Sequence, residues 1–330
     1  MSVRLADTAA IADAAQRLTR GEAVALPTET VYGLGADAAS ADGVASIYRI
    51  KGRPADHPLI VHVLDVQQAQ WWADFDPVAL RLAAAFWPGP LTLILKRRAD
   101  APGHACGGTD TVGLRSPAHP VARALLEAFA ALGGHGIAAP SANRFGRVSP
   151  TRAQHVADDL GDDVGLILDG GACDVGVEST IVDLSRGEAV LLRPGGISAE
   201  RLAQVLGAAP GARDAHAPRA SGTLAAHYAP CTRLELVDHS GLLARVEAHQ
   251  AAGRRVAVWA AERPRAAGLA HWEPAATDPE HFARDLYDTL RRLDGVGADV
   301  LVVERVASDP GWDAVRDRLQ RAAATFEAAA

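Results

Sequence analysis

The sequence predicts an α/β protein of two domains, and three observations lead to this prediction. Apolar segments of strand length alternate with longer segments of helical period over most of the chain. That alternation is typical of a sheet that is at least partly parallel. The chain has 330 residues, of which 48% are hydrophobic, and this length favours two cores over one. The alternation stops once, over residues 207–222, and then starts again.

The elements of the first domain follow from the spacing of the apolar residues. Asp7 precedes the first helical period and is suited to cap it. Segment 22–26 (EAVAL) carries four consecutive apolar residues after Glu22, which predicts a buried strand. By the same criteria, helices are predicted at 7–20, 42–51, 77–87, 119–132, 151–160 and 198–206, and strands at 22–26, 59–64, 91–96, 111–115, 136–140, 164–168, 179–184 and 188–193.

Residues 207–222 (GAAPGARDAHAPRASG) are rich in Ala, Pro and Gly without a period, which predicts a linker. The alternation after it predicts a second, smaller α/β domain of Rossmann-like type. The domain prediction is therefore 1–206, a connecting segment 207–231, and 232–330. Within the second domain, strands are predicted at 233–237, 255–260 and 299–304, and helices at 241–252, 279–293 and 311–327.

Composition limits the classes of function. The net charge of −7 argues against a molecule that attracts nucleic acid as a whole. The cysteines Cys106, Cys173 and Cys231 are far apart and form no CxxC pair, which argues against a disulfide framework or a structural zinc site. The N-terminus has no signal-peptide pattern, and no apolar run reaches the ~18 residues of a membrane span. We expect a cytoplasmic protein without a membrane partner.

Six polar loops of the first domain lie at or beside predicted strand ends, where ligands of open α/β sheets collect. Each has an ordinary structural explanation when taken alone: cations at a helix end balance its dipole, a strand histidine is commonly a core residue, and Ser and Thr cap local backbone. The loops read "PTETVYGLG", "KGRPADHPLIVHV", "TDTVGLRSP", "APSANRFGRVSPT", "GVESTIVD" and "LLRPGG".

Together, these loops carry an excess of positive charge in an acidic chain, from Lys51, Arg53, Arg115 and Arg193. Such a pocket suits a ligand with several negative charges, such as a nucleoside triphosphate together with a carboxylate. Neither GxxxxGK[ST] nor GxGxxG is present, so neither of these phosphate-binding motifs explains the charges. The residues alone therefore predict an anion-binding α/β enzyme.

In order and spacing, the six loops resemble the YrdC-like family of L-threonylcarbamoyladenylate synthases over residues 22–206. With "HYAP" at 227–230 and a second domain, the chain is similar to the longer two-domain form. The resemblance implies a twisted mixed sheet and a reaction of L-threonine, bicarbonate or CO2, and ATP with Mg2+. The products are threonylcarbamoyl-AMP and pyrophosphate. Other proteins then transfer the threonylcarbamoyl group to adenosine in tRNA.

The resemblance also implies roles for single residues, and it implies no protein ligand for a metal. Asn143 is the one asparagine of the chain and Lys51 is one of two lysines, and both match the family's pattern around the phosphates. His57 stands where the family often has asparagine, which puts that contact in doubt. The implied threonine site is Thr30, His62, Arg115, Ala139 and Ser179; the ATP site is Arg53, His57, Thr111, Ser141, Ser149, Arg193 and Tyr228; the catalytic group is Lys51, Arg53, Ser141 and Asn143.

A mechanism follows from these implied roles. Arg115 binds the threonine carboxylate, the amine forms a carbamate, and the carbamate oxygen attacks the α-phosphorus without a covalent enzyme intermediate. The "TET" segment forms one wall of the threonine pocket, and Tyr32 with its following glycines lets the backbone approach the ligand. Residues 223–231 are expected either to close over the pocket, with Tyr228 on the nucleotide, or to form an edge strand of the second domain.

Two other functions share this kind of domain. A carbamoyltransferase of hydrogenase maturation carries CxxC zinc fingers, which this chain lacks. An RNA-binding or ribosome-maturation factor would use the same cationic concavity. The net charge of −7 and the lack of an RRM or KH signature disfavour RNA as the main ligand.

Overall fold

The computed structural model describes residues 2–327, and the chain divides into two compact units. The first unit holds residues up to 145 together with 149–223. The second holds 146–148 together with the residues from 224 onward. Residues 207–223, predicted to connect two domains, thus belong to the first unit. The three-residue segment 146–148 belongs to the second unit although it lies within the predicted first domain.

Several helices of the first unit begin after an aspartate or serine that caps them. Asp7 accepts a hydrogen bond from the Ala10 N–H at 2.7 Å, and Asp76 accepts one from Ala79 at the same distance. Caps of this kind satisfy N–H groups that a helix cannot pair internally. The helices are α1 (Thr8–Thr19), α2 (Ala41–Lys51), α3 (Val66–Ala69), α4 (Pro77–Phe86), α5 (Pro120–Ala131), α6 (Ala153–Leu160) and α7 (Ala199–Leu206).

One mixed sheet of 11 strands forms the centre of the first unit. Its order is β1-β8-β2-β3-β7-β4-β6-β5-β9-β10-β11. The pairs β4–β6 and β5–β9 are parallel, whereas β4–β7, β5–β6 and β9–β10 are antiparallel. The strands are β1 (Val3–Leu5), β2 (Val24–Leu26), β3 (Gly33–Asp37), β4 (Ile60–His62), β5 (Leu91–Lys96), β6 (Thr111–Arg115), β7 (Ile137–Ala138), β8 (Ile167–Asp169), β9 (Thr180–Asp183), β10 (Val190–Arg193) and β11 (Gly211–Ala212).

Apolar side chains are buried on both faces of this sheet. Val24 and Leu26 of β2 pack in a cluster with residues of α1 and α5. Ala25, between them, packs in the other cluster with residues of α2 and α4. Successive side chains of a strand point to opposite faces, so helices cover both sides of β2. This double burial explains why residues 23–26 of EAVAL are continuously apolar instead of alternating.

The second unit has a fully parallel sheet of four strands in the order β12-β15-β13-β14. The strands are β12 (Arg233–Val237), β13 (Val256–Ala260), β14 (His271–Pro274) and β15 (Val300–Glu304), and the helices are α8 (Leu242–Ala251), α9 (Pro279–Asp294) and α10 (Asp313–Glu327). Arg291 of α9 donates to the Val148 carbonyl at 2.5 Å, which holds segment 146–148 in this unit. Across residues 2–327, no helix is long and apolar enough to cross a membrane.

Several short strands were not predicted from the sequence: β1, β3, β11 and β14. Two glycines interrupt the apolar pattern of β3, which made it resemble a turn. A Cβ on Gly35 would lie 2.8 Å from Ile137 Cγ2 and Leu26 Cδ2, so the missing side chain lets the neighbouring strands fill that space. Within the predicted linker, β11 pairs with β10, and Arg186 forms an ion pair with Asp214 at 3.0 Å.

We expect the turn after β10 to tolerate no side chain at Gly195. A Cβ there would lie 2.4 Å from the Glu178 carbonyl oxygen and 2.4 Å from the Thr180 nitrogen, which are backbone atoms. Gly195→Ala should therefore lower the free energy of unfolding by about 1–3 kcal/mol. The control is Gly211→Ala, because the nearest atom to its Cβ is 3.6 Å away. Urea unfolding of both variants measures the difference, and equal stabilities would contradict the packing described for this turn.

Candidate active site

The "TET" segment after β2 is shaped by Thr28. Its Oγ1 donates to the Val31 carbonyl at 2.6 Å and accepts from the Thr30 and Val31 N–H groups at 3.2 Å. Thr28 Oγ1 also lies 2.8 Å from Thr30 Oγ1. Since the one hydroxyl proton of Thr28 goes to Val31, Thr30 donates in this pair and its own oxygen keeps its lone pairs. Thr28 is thus a local backbone cap, and Thr30 presents an acceptor.

Arg115, the last residue of β6, donates a hydrogen bond to the Thr30 hydroxyl. Its Nη1 donates to Thr30 Oγ1 at 2.9 Å, and its Nη2 lies 2.6 Å from Glu29 Oε1. The Nη2 contact is an ion pair without the alignment of a hydrogen bond, and Arg115 Nε has no hydrogen-bond partner among residues 2–327. Arg115 is 4% exposed and Glu29 7%. One edge of a buried guanidinium therefore remains available for a ligand.

Glu29 was quoted in the sequence motif but given no role of its own. Its Oε2 accepts from the Ala118 N–H at 3.1 Å. Burial raises the pKa of the Glu29 carboxyl, but the Arg115 guanidinium and the backbone N–H groups of Glu29 and Ala118 together lower it by more, so the pKa lies below its ordinary value. Glu29 is therefore ionised beside Arg115. An acid placed between two threonines was the only sequence signal for it.

His62 ends β4 beside Arg115, because the parallel register of β4 and β6 pairs these two residues. Burial, followed by the positive charge of Arg115, lowers the pKa of His62 to about 3. The imidazole is therefore neutral at pH 7. Its Nδ1 makes no hydrogen bond in the part of the chain that the structure describes. The neighbouring Ala139 donates its N–H to the Ile60 carbonyl at 3.0 Å. Its side chain is only a methyl group.

Polar atoms that make no hydrogen bond thus lie in one buried region formed by Glu29, His62 and Arg115. Burying a polar group without a partner costs roughly 1–3 kcal/mol, and such groups are rare in folded proteins unless a ligand or water pairs them. The guanidinium edge offers two N–H donors, which match a carboxylate. Glu29 Oε1 and His62 Nδ1 offer sites for a donor such as an ammonium group. The arrangement is complementary to an α-amino acid.

Ser179 precedes β9 and is held by two neighbours. Its Oγ lies 2.7 Å from Thr92 Oγ1 of β5 and accepts from Arg193 Nη2 at 3.1 Å. Arg193 also donates from Nε and Nη2 to the Ser179 carbonyl at 3.1 and 2.8 Å, and from Nη1 to Ser221 at 2.7 Å. Arg193 thus fixes the start of β9, a structural role that the sequence did not indicate. Its contact with ATP stays a prediction.

Lys51, at the end of α2, holds the loop that contains Ser141 and Asn143. Its Nζ donates to the carbonyls of both residues at 2.5 Å. Lys51 is 3% exposed, and burial, followed by the positive charge of Arg53, lowers its pKa well below the ordinary value. The structure therefore brings together Lys51, Ser141 and Asn143 as the family pattern implied. It shows Lys51 acting on backbone carbonyls.

Arg53 and His57 pack around one aromatic ring. The Arg53 guanidinium lies 5.8 Å from the centre of the Phe145 ring, and the His57 ring lies edge-on to Phe145 at 5.5 Å. Arg53 Nη2 also donates to the Pro58 carbonyl at 3.1 Å. Burial, and then the charge of Arg53, lowers the pKa of His57. These contacts form a cationic, partly aromatic surface suited to phosphate or a base.

Ser149 and Thr111, the other residues assigned to ATP in the first unit, are both buried. Ser149 Oγ donates to Glu178 Oε1 at 2.6 Å, and Thr111 Oγ1 lies 3.2 Å from Thr109 Oγ1. The structure gives both hydroxyls a protein partner. Their contact with a nucleotide stays a prediction.

Tyr32 is held inside the first unit by hydrogen bonds of its hydroxyl. Its hydroxyl donates to the Gly171 carbonyl at 2.7 Å and accepts from the Gly170 N–H at 3.2 Å. The ring is fully buried, and burial raises the pKa of its hydroxyl. Tyr32 therefore ties the TET segment to the loop after β8. The expectation that Tyr32 and the following glycines let the backbone approach a ligand stays a prediction.

Tyr228 belongs to the second unit. Its ring is buried 5.7 Å from the ring of Tyr287, and the Arg318 guanidinium lies 5.4 Å from it. Its φ of 62° lies in the left-handed region, which is unusual for a residue with a side chain. The predicted contact of Tyr228 with the nucleotide stays a prediction.

Two family models match the chain in sequence. A model described as "Telomere recombination", which covers Sua5, YciO and YrdC proteins, matches residues 16–195, and a model of the threonylcarbamoyl-AMP synthase C-terminal domain matches 197–324. The chain belongs to the two-domain threonylcarbamoyl-AMP synthase family. Family members in Bacillus subtilis and Pyrococcus abyssi are 40% and 39% identical to it. These alignments cover 95% and 94% of this chain and 92% of each relative.

A solved structure of the family, P. abyssi Sua5 complexed with L-threonine, is similar to the structure of this chain. The TM-score is 0.88 at 37% identity, over 95% of this chain and 94% of that one. The predicted family, enzyme class and fold class are thereby confirmed, the last as a YrdC-like mixed sheet with a smaller Rossmann-like domain. The family assignment also decides against the hydrogenase-maturation and RNA-binding alternatives as the main function. The roles of single residues stay predictions.

Magnesium has no dedicated cage in the described part of the chain. Residues 2–327 contain no group of three or more His, Cys, Asp or Glu side chains placed to hold a metal ion. Mg2+ commonly binds through substrate phosphates and water with only one or two carboxylates. The expectation that Mg2+ takes part stays a prediction, and we derive no catalytic step through it.

The neutral state of His62 makes a testable prediction about acid stability. Its pKa is about 3 in the folded chain and near 6.5 when exposed, so below pH 6.5 the unfolded chain binds a proton that the folded chain does not. Stability should fall as the pH falls from 6.5 towards 3, by about 1.4 kcal/mol per pH unit from this residue. His62→Gln should remove that contribution, as measured by urea unfolding at several pH values.

The control for this measurement is His216→Gln, because His216 is exposed. That variant should keep the pH dependence of the unsubstituted chain. An unchanged pH dependence in His62→Gln would show that His62 is not buried in its neutral form.

Proposed function

We propose that the chain joins L-threonine, bicarbonate or CO2, and ATP to give L-threonylcarbamoyladenylate and pyrophosphate. The product serves the formation of threonylcarbamoyladenosine in tRNA. The observation that carries the proposal is the buried group of Glu29, His62 and Arg115, whose unpaired atoms complement an α-amino acid. The family assignment supplies ATP as the second substrate.

In this proposal, Arg115 binds the threonine carboxylate through Nε and Nη2. These two N–H groups lie on one edge of the guanidinium and can donate in parallel to both carboxylate oxygens. Nη1 is already bonded to Thr30 at 2.9 Å, which fixes the rotation of the guanidinium plane. Thr30 thus orients the arginine and forms part of the wall. Pre-orientation of this kind reduces the entropy lost on binding.

We assign the threonine side chain to the surface formed by Ala139, Ser179 and His62. Ala139 is small and buried, which leaves room for a methyl group. Ser179 Oγ is fixed by Thr92 and Arg193, so it presents its remaining hydrogen-bonding capacity in a set direction. Neutral His62 can bond a hydroxyl or amine without adding charge. These properties favour an amino acid with a short branched hydroxyl side chain.

For ATP, we propose that Lys51, Arg53, Ser141 and Asn143 surround the phosphates. Lys51 holds the 141–143 loop by two carbonyls, and the permanent charge of Arg53 lies at the end of the same helix. The carbamate oxygen attacks the α-phosphorus, and the charge that develops on pyrophosphate is stabilised by these cations. The further ATP contacts in this proposal are His57, Thr111, Ser149, Arg193 and Tyr228. Mg2+ bound to the nucleotide would supply further positive charge beside the phosphates.

Other parts of the proposal extend beyond the site. Residues 1–206 are proposed as the catalytic domain, 207–231 as a connecting lid, and 232–330 as the smaller domain. Truncation after Ser221 tests the lid, since ATP binding should weaken. The downstream partners would be tRNA and the proteins that transfer the threonylcarbamoyl group, and the expected location is the cytoplasm.

The activity itself is tested by pyrophosphate release. Release should require threonine, bicarbonate and ATP together. Serine lacks the methyl group and should be a poorer substrate by roughly 10–200-fold in kcat/KM. Equal release with every amino acid, or none with threonine, would refute the proposed function. Serine within twofold of threonine would contradict only the fit of the methyl pocket.

Arg115→Lys tests the carboxylate contact. Lysine keeps the charge but cannot donate two parallel hydrogen bonds, so the KM for threonine should rise by roughly 10-fold or more. The KM for ATP should change little, which serves as an internal reference. Arg81→Lys is the matched control, since Arg81 is exposed on α4. An unchanged KM for threonine in Arg115→Lys would show that Arg115 does not bind the carboxylate.

A further inference from the structure

Glu29 is a buried acid without an assigned role, and its surroundings suggest one. Its Oε2 is satisfied by the Ala118 N–H, but its Oε1 has no hydrogen bond within the described chain. Oε1 lies 2.6 Å from Arg115 Nη2, on the guanidinium edge that we assign to the threonine carboxylate. A ligand at that edge therefore places its carboxylate next to Glu29.

An α-amino acid carries its ammonium group on the carbon that bears its carboxylate. A carboxylate bound to Arg115 brings that ammonium group within reach of the adjacent Glu29 Oε1. A carboxylate beside a carboxylate would otherwise be repelled, so the ammonium group makes the arrangement favourable. Glu29 Oε1, which can accept from the ammonium group, thus lies beside the Arg115 N–H groups, which can donate to the carboxylate.

We propose that Glu29 binds the ammonium group of threonine and acts as the general base that removes one of its protons. The inference rests on the proposed function and adds a catalytic residue to it. An ammonium nitrogen has no lone pair and cannot attack carbon. Removal of one proton is therefore required before a carbamate can form.

The steps balance as follows. An N–H bond of the ammonium group breaks, its electron pair stays on nitrogen, and the proton binds Glu29 Oε1. Bicarbonate then takes this proton and gives CO2 and water, which regenerates the Glu29 carboxylate. The amine lone pair forms the N–C bond to CO2, one C–O π bond becomes an oxygen lone pair, and water takes the second proton from nitrogen. The product is the carbamate that attacks ATP.

Substrate binding itself raises the basicity of Glu29. In the empty site, Arg115 lowers the pKa of the carboxyl against the opposing effect of burial. The threonine carboxylate adds a negative charge beside the same guanidinium, which weakens the influence of Arg115 and leaves burial to dominate. The charged or titratable groups that face Glu29 are Arg115 on β6, His62 on β4, His119 before α5 and Cys173 after β8.

Three of these groups carry no charge near pH 7 and therefore do not oppose the rise in the pKa of Glu29. Burial lowers the pKa of His62 and of His119, so both are neutral near pH 7. Burial raises the pKa of the Cys173 thiol, which keeps it protonated. Arg115 is then the one charged neighbour among these four groups, and it is the one that the substrate carboxylate binds.

The test compares Glu29→Gln with Glu29→Asp. Glutamine keeps the size and the acceptor for Ala118 but cannot take a proton, so kcat at pH 7 should fall by roughly 100-fold or more. As the pH rises towards the pKa of the amine, the amine loses its proton without a base. The kcat of the unsubstituted enzyme divided by the kcat of Glu29→Gln should therefore decrease as the pH rises. Glu29→Asp keeps a base and should keep the pH profile of the unsubstituted enzyme at a lower rate.

Glu127→Gln, an exposed acid on α5, is the control and should match the unsubstituted enzyme. Circular dichroism and ATP binding show whether each variant is folded. A ratio independent of pH, or a Glu29→Gln variant with near-full activity, would overturn the role of Glu29 as a base. If Glu29→Gln does not fold, a Glu29→Asp profile that differs from the unsubstituted one overturns it. An unsubstituted enzyme without threonine-dependent release would refute the proposed function instead.

Discussion

The ion pair between Arg115 and Glu29 is the constraint on which the candidate site depends. Two opposite charges are buried here, and such a pair repays its desolvation only with good geometry and further hydrogen bonds. The surrounding structure supplies these partly, through Thr30 on Nη1 and the Ala118 N–H on Oε2. The remaining donors and one acceptor are left unpaired. The register of β4 and β6 and the hydrogen bonds of the TET segment therefore hold a charged pair to which a zwitterion is complementary.

A second kind of contact recurs around the site: basic side chains donate hydrogen bonds to main-chain carbonyls. Lys51 binds two carbonyls of the 141–143 loop, and Arg193 binds the carbonyls of Ser179 and Ser221. Cations with several donors can fix irregular backbone that a sheet or helix cannot pair. Their cost is a buried charge, which the low pKa of Lys51 reflects. These contacts fix the backbone of the loops. The sequence left two roles open for such cations, a structural contact at the end of an element and a contact with a ligand.

Much of the fold was predictable, and the failures have physical causes. The helices of the first unit follow from period and caps, and α1 lies within one residue of its predicted bounds at each end. Strand β3 was not predicted, because Gly33 and Gly35 remove the side chains that a strand pattern consists of. In the site, the motifs predicted that Lys51 lies near Ser141 and Asn143, and the structure shows its contacts with the carbonyls of both. They could not show that Arg193 binds the Ser179 carbonyl, or that Glu29 Oε1 lies beside Arg115 Nη2, because a sequence does not show which atoms are paired.

In the proposed reaction, the charge of the bound ligand changes in a direction that the fixed charges of the site favour. The threonine region is neutral overall, since Arg115 and Glu29 cancel and His62 is uncharged. This suits a zwitterion with no net charge. Once the amine becomes a carbamate, the same molecule carries two negative charges. Its attraction to the fixed cations, Arg53 among them, then becomes stronger than that of threonine. Interactions that strengthen along the reaction path lower the barrier, whereas those equal for substrate and intermediate do not. A neutral pocket for threonine combined with cations for the phosphates therefore favours the step from carbamate to adenylate.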